Sequence, residues 1–258
     1  MPHENRLKKR LADGKPALAC WLHLSSPIAT EIIALAGYDA LVIDHEHGPG
    51  DFLNAISLMQ AASRSGASII LRVPWNDMVY VKRALDSGAD GIMFPSIQNA
   101  DEARAAVAAC RYPPEGVRGF ANQIARCADY GVRAEEYLAS WPERLFVMCQ
   151  IESRVAVENI PEIAAVEGVD MLFIGPSDLA ASIGRAGQVD DPQVADLIAE
   201  AESRIKRSGK WLGAIPLPGR DTNALFADGY DLVIASSDVT LLREAAAAEV
   251  ATCASEQE

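Results

Sequence analysis

Asp44-His45-Glu46-His47 places four ionisable side chains in a row at the end of the apolar run Ala40-Leu41-Val42-Ile43, and Gly48-Pro49-Gly50 breaks the chain directly after them. Desolvating four adjacent titratable groups is too costly for core filling, so the stretch has to be partly solvated, paired or bound to a cation. On its own it suggests a metal cluster. His47 is the best general base, because imidazole titrates near neutral pH and Asp44 can orient it if the chain turns at His45 or Glu46. Gly48 and Pro49 favour such a turn. His45 and His23 read as ordinary hydrogen-bonding groups beside it.

Other apolar runs also close on polar residues. Ala17–Leu22 runs into Trp21 and His23, Ser68–Val73 carries Arg72, Leu145–Ile151 leads to Gln150 and Glu152, and Met171–Ile174 leads to Gly175-Pro176-Ser177-Asp178. Along a strand Phe146, Met148, Gln150 and Glu152 share one face, so if the apolar pair points inward the polar pair does too. Glu152 and Asp178, two carboxylates on neighbouring strands, suit a hard divalent cation such as Mg²⁺ or Mn²⁺, with water and substrate oxygens completing its shell. The competing reading pairs Glu152 with Arg154 or Arg72 and makes Asp178 a helix cap. Arg72 is either an ion pair with Glu46 or an anion clamp whose planar fork suits a carboxylate or an enolate oxygen. The amides of Ser177 and Asp178, at a helix start, offer a second anion site. This distribution moves the metal to Glu152 and Asp178 and leaves Asp44–His47 as a proton-transfer arm.

The elements that must position these residues alternate regularly. Strands are expected at 17–22, 40–43, 68–73, 91–95, 145–151, 171–174, 211–215 and 232–235, each followed by helical material, including single helices at 155–165 and 192–208. Eight such units fit a closed (β/α)₈ barrel, with residues 1–258 as one domain, and no GxGxxG follows the first strand to support a dinucleotide fold. One long segment, Tyr112 to Pro142, interrupts the rhythm with only a short helical piece near 134–140, and reads as a cover or a subunit contact.

The 258 residues carry a formal net charge of −13, which excludes nucleic acid and anionic membrane surfaces as natural partners. No apolar run reaches the ~18–20 residues of a membrane span, and Met1 to Arg10 lacks a signal-peptide core, so a soluble, cytoplasmic protein is expected. Five dispersed cysteines without a CxxC pair read as free thiols.

Together, Asp44-His45-Glu46-His47-Gly48, Arg72-Val73-Pro74-Trp75-Asn76-Asp77, Pro113-Pro114-Glu115-Gly116-Val117-Arg118-Gly119, Gln150-Ile151-Glu152 and Gly175-Pro176-Ser177-Asp178-Leu179 resemble the HpcH/HpaI aldolases, in the family's order. The resemblance spans Trp21 to Asp238. It implies a barrel of the phosphoenolpyruvate/pyruvate-binding type and a class II, metal-dependent aldolase that cleaves 4-hydroxy-2-oxo acids to pyruvate or hydroxypyruvate and an aldehyde, as in aromatic-compound catabolism. Carried over by position, it implies Glu152 and Asp178 as ligands of Mg²⁺ or Mn²⁺, with Co²⁺ a further candidate. It makes Arg72 the residue that steadies the enolate, Gln150 and Trp21 substrate-side groups, Ser177 and Asp178 the amides for the substrate carboxylate, and His47 with Asp44 the base dyad. It further implies a hexamer, a trimer of dimers, with the carboxyl-terminal helix exchanged between subunits. Two alternatives stay open: a lyase acting on coenzyme A thioesters, of the citrate lyase β or malyl-CoA lyase type, and a non-catalytic binder of small carboxylates.

Overall fold

A computed structural model describes residues 5–254; residues 1–4 of the basic opening segment and 255–258, both included in the expected single domain, lie outside the described residues. Eight parallel strands close in sequence order into a barrel: β1 (Ala17–Leu22), β2 (Ala40–Asp44), β3 (Ser68–Arg72), β4 (Gly91–Phe94), β5 (Phe146–Ile151), β6 (Met171–Ile174), β7 (Trp211–Ala214) and β8 (Leu232–Ser237). Helical segments alternate with the strands, as the apolar periodicity predicts.

The two-residue period of the strands sorts the core into two layers. Ala17, Ala19 and Trp21, Ala40 and Val42, Ile70, Met93, Phe146 and Met148, Met171 and Phe173, and Leu232 and Ile234 form one cluster, the barrel interior. The alternate residues, such as Cys20, Leu41, Ile43, Leu71 and Leu172, belong to a larger cluster under the helices. One further step along the inward rows replaces Val42 by Asp44, Ile70 by Arg72 and Met148 by Gln150. The register sets Asp44 directly beside Arg72. Polar groups therefore gather at the carboxyl rim because the inward rows run out of apolar residues there.

The opposite end is plugged by a helix that the periodicity missed, Arg6–Ala12, sequence RLKKRLA. Asn5 caps it by accepting from the Lys8 amide, and Leu7 and Leu11, one turn apart, bury inside the barrel cluster. Two apolar residues in seven are too few to register as an amphipathic signal. The single helix expected at 155–165 is two, Arg154–Glu158 and Ile160–Ala164, because Pro161 has no N–H to continue the first.

The segment after Tyr112 is held far more firmly than a mobile cover. The Arg118 side chain is wholly buried between Tyr112 and Trp141, each ring centroid 4.6 Å from its guanidinium carbon. It donates to Asp86 at 2.7 Å and to the Tyr137 hydroxyl at 3.1 Å. Tyr137 and Trp141 belong to a helix, Ala134–Arg144, that runs past Pro142 and outlasts the expected 134–140 because this stack anchors it. The carboxyl-terminal helix, Asp238–Ala254, is exposed along almost its whole length, with Leu242 and Val250 in the open.

Candidate active site

Asp44 is the hub of the rim. Its carboxylate accepts from Nε and Nη2 of Arg72, both at 2.8 Å, and from the Glu46 and His47 amides at 3.0 and 3.4 Å. His23 Nε2 lies 3.0 Å from Oδ2. Burial alone would raise the Asp44 pKa, but the hydrogen bonds from His23 and Arg72, the guanidinium charge and the Glu46 amide hold it well below the usual carboxylate range. Asp44 is thus a permanent anion.

Arg72 is buried and lies over Trp21, its guanidinium carbon 4.3 Å from the ring centroid. Nη1 is 3.0 Å from Glu46 Oε2, and that oxygen still lacks a hydrogen bond of acceptable angle. The pair is a charge contact, so with Nε–H and one N–H of Nη2 given to Asp44, the second N–H of Nη2 and both of Nη1 remain for an incoming oxygen. The expected choice between ion pair and clamp does not arise: Arg72 is paired on one side and available on the other.

Glu152 is 5 % exposed, and neither Arg154 nor Arg72 holds it by hydrogen bond. Its oxygens accept from the Ser96 amide at 2.8 Å and from Gln150 Nε2 at 2.6 Å. Burial raises its pKa to about 7; the Ser96 amide and Arg72 oppose that rise, while the charges of Asp178 and Glu46 add to it. Gln150 Oε1 is buried without a partner. Gly175 faces this carboxylate so closely that a Cβ there would lie 2.5 Å from Oε1. Ser177 and Asp178 follow, exposed, in the first turn of the helix Pro176–Ser182, so their amides lie at a helix start as expected and Asp178 is inside the helix rather than its cap.

Among the described residues no three His, Cys, Asp or Glu side chains form a ready metal centre, and the cluster first suggested by Asp44–His47 does not assemble. The donor chemistry around Glu152 nevertheless fits a hard cation. The charges of Asp178 and Glu46 raise the cost of ionising Glu152, those of Asp178 and Asp44 do the same to Glu46, and the orphaned amide oxygen belongs to the Gln150 that donates to Glu152.

The Asp44–His47 arm differs from expectation. The chain does turn, with Gly48 pressed so tightly on the Asp44 carbonyl that a Cβ would sit 2.2 Å from its oxygen. Asp44 takes the His47 backbone amide, however, and not its ring. The His47 side chain is 64 % exposed, 3.9 Å from Glu46. His45 turns away from the rim: Nδ1 meets the Tyr80 hydroxyl at 2.9 Å, its ring packs edge-on against Phe52, and burial lowers its pKa. Two contributors escape the sequence reading. Ser96, just past β4 with φ 54°, holds Glu152, and Asp238, just past β8, accepts the His23 and Leu24 amides at 2.9 and 3.0 Å. The ends of β4 and β8 were the signal for both.

Residues 17–245 match the model of a family described as HpcH/HpaI aldolase/citrate lyase. The chain belongs to this family. It is 40 % identical over 245 residues, 95 % of this chain and 93 % of the relative, to 4-hydroxy-2-oxo-heptane-1,7-dioate aldolase of Escherichia coli. It is 38 % identical, over 93 % of both chains, to 5-keto-4-deoxy-D-glucarate aldolase of Shigella dysenteriae. The crystal structure of an HpcH/HpaI aldolase/citrate lyase family protein from Burkholderia cenocepacia superposes with a TM-score of 0.91 at 38 % identity, covering 96 % of this chain and 99 % of that one. Both named relatives are aldolases, which are carbon–carbon lyases, and the (β/α)₈ barrel is the fold of the family. No helix among the described residues is long and apolar enough to cross a membrane.

Proposed function

We propose that the protein is a class II aldolase that reversibly cleaves a 4-hydroxy-2-oxo acid to pyruvate, or hydroxypyruvate, and an aldehyde. The observation that carries this reading is Glu152: a buried carboxylate, with a pKa near 7, beside two further carboxylates and an orphaned amide oxygen, facing a clamped arginine. Glu152 and Asp178 would hold Mg²⁺, Mn²⁺ or Co²⁺. Once bound, the cation supplies Lewis-acid stabilisation of negative charge that develops on the 2-oxo group.

The remaining work falls to this chain's own residues. The free N–H groups of Arg72 receive the enolate oxygen, and Asp44 and Trp21 fix the fork so that little reorganisation is needed when charge appears. The amides of Ser177 and Asp178 take the substrate carboxylate, and Gln150 donates toward the same space. His47, on the arm that Asp44 turns, accepts the C3 proton directly or through water. No lysine closes an inward row of the barrel, so a Schiff-base route has no nucleophile.

The whole chain is read as one domain assembled as a hexamer, a trimer of dimers that exchanges the helix Asp238–Ala254. Support comes from the exposure of that helix together with Ile28, Ile32 and Leu35 on the helix Pro27–Leu35 it touches. The coenzyme A lyase alternative lacks a basic surface for nucleotide phosphates on a chain of net charge −13. The deciding experiment is release of pyruvate from a 4-hydroxy-2-oxo acid, coupled to lactate dehydrogenase, with Mn²⁺ and after EDTA. Turnover that vanishes with EDTA and returns with Mn²⁺ is expected; EDTA-insensitive turnover, or none, refutes the reading.

A further inference from the structure

Aldol cleavage moves two protons, one at C3 of the pyruvate half and one on the C4 hydroxyl of the aldehyde half, whereas the reading above assigns only the first. The rim holds a second imidazole with a better-defined setting than His47. His23 follows β1, and its backbone amide is fixed by the buried carboxylate of Asp238. Its ring stacks on Trp21, centroids 5.8 Å apart and 24° between planes. Nε2 faces the permanent anion Asp44 at 3.0 Å. Nδ1 has no hydrogen bond to a described residue, and the side chain is 28 % exposed, enough to meet a ligand from the rim. An imidazole whose one nitrogen is held as N–H by a buried carboxylate presents a lone pair on the other, which is the arrangement of an oriented general base.

The barrel order sets this base across the mouth from the carboxylates read as metal ligands. β1 and β5 stand four strands apart in a ring of eight, so they face each other across it. A substrate anchored by its 2-oxo acid end at Glu152 and Asp178, past β5 and β6, extends toward β1 and β2.

We propose that His23 is a catalytic residue that accepts the C4 hydroxyl proton during cleavage and returns it during addition. In cleavage, the O–H bond breaks as the proton goes to Nδ1, the C4 oxygen becomes a carbonyl, and the C3–C4 pair moves into the enolate. In addition, Nδ1–H gives the proton back to the alkoxide. Asp44 holds Nε2–H throughout and stabilises the imidazolium between the two. This rests on the aldolase reading.

The test separates the two protons in the Mn²⁺-loaded enzyme. Pyruvate C3 deuterium exchange, followed by proton NMR, needs no C4 oxygen; pyruvate release from a 4-hydroxy-2-oxo acid does. His23→Gln keeps an N–H for Asp44 but no base. Its kcat for cleavage is expected to fall by about 100-fold or more while exchange stays within about threefold of wild type. Cleavage within about threefold of wild type overturns the proposal. So does a parallel loss of both activities, because that is what a residue merely steadying Asp44 and Arg72 would produce. Should the glutamine variant not fold, His23→Asn is judged by the same split. A wild-type enzyme with neither activity would instead sink the aldolase reading, and this proposal with it.

Discussion

Two buried arginines, Arg72 at the rim and Arg118 under the long segment, meet similar groups to opposite effect. Each is buried, faces an aspartate at 2.7–2.8 Å and lies on an aromatic ring. Around Arg118 the charge account closes: one carboxylate answers one cation, and rings and a hydroxyl surround it, with Nε left among the rings without a hydrogen bond. Around Arg72 it does not close, because Glu46, Glu152 and Asp178 remain after Asp44 has been matched, and Gln150 Oε1 has nothing to accept. A balanced buried charge ties a scaffold together; an unbalanced one leaves work for a ligand.

Making the same Arg→Lys change at both positions should produce opposite results. Arg72→Lys is expected to lower turnover by ~10²-fold or more, since an ammonium cannot grip Asp44 with two bonds and offer the enolate a third. Arg118→Lys is expected to lose on the order of 3 kcal/mol of stability, read from chemical denaturation, with kcat per folded molecule within about twofold of wild type. A stable Arg118→Lys with little turnover would erase the distinction.

The imbalance itself can be titrated. Glu152 must give up its proton to hold a cation, so Mn²⁺ affinity should weaken about tenfold per pH unit below about 7, measured by calorimetry or by water-proton relaxation. A pH-independent affinity between 5 and 7 would mean that Glu152 is either not a ligand or already ionised at pH 5, and loss of Mn²⁺ binding in Glu152→Gln separates the two. Stability without metal runs the other way. The folded pKa lies above the unfolded one, so the group's stabilising contribution is complete below about 4.5 and is lost as pH rises through about 7. Glu152→Gln removes that loss. At pH 8 the metal-free variant should be more stable than wild type by as much as about 3 kcal/mol, and it should bind no metal. Gln150 can turn its orphaned oxygen toward the new amide.

The smallest effect belongs to Tyr80→Phe, which removes the hydroxyl on His45 Nδ1. A loss of about 1 kcal/mol in stability and turnover within about twofold are expected, because His45 packs behind the rim. A large kinetic effect would move His45 into the site.

Strand faces were readable because a period of two needs only residue order. Phe146 and Met148 are inward, and Gln150 and Glu152 follow them. Partnerships across the rim were not readable. The orientation of His47 depends on where the turn after Asp44 leaves its ring, and the nearness of His23 depends on β1 lying beside β2, which only closure and register provide. The Arg6–Ala12 plug and the Arg118 cage were missed for a related reason: each takes part of its stability from residues more than 20 positions away, Leu7 on Ser68 and Arg118 on Asp86 among them.

Gly175 contributes no functional atom, yet a methyl group at that position would collide with the Glu152 carboxylate. In a saturation library selected for turnover, position 175 should therefore tolerate as few substitutions as position 152. A scan reading only fitness could mistake the glycine for a reactant. Selecting the same library for folding alone would tell them apart: codon 152 should relax to glutamine, and codon 175 should admit small residues only in clones where 152 carries a side chain shorter than glutamine, because glutamine keeps the same Cγ and Cδ.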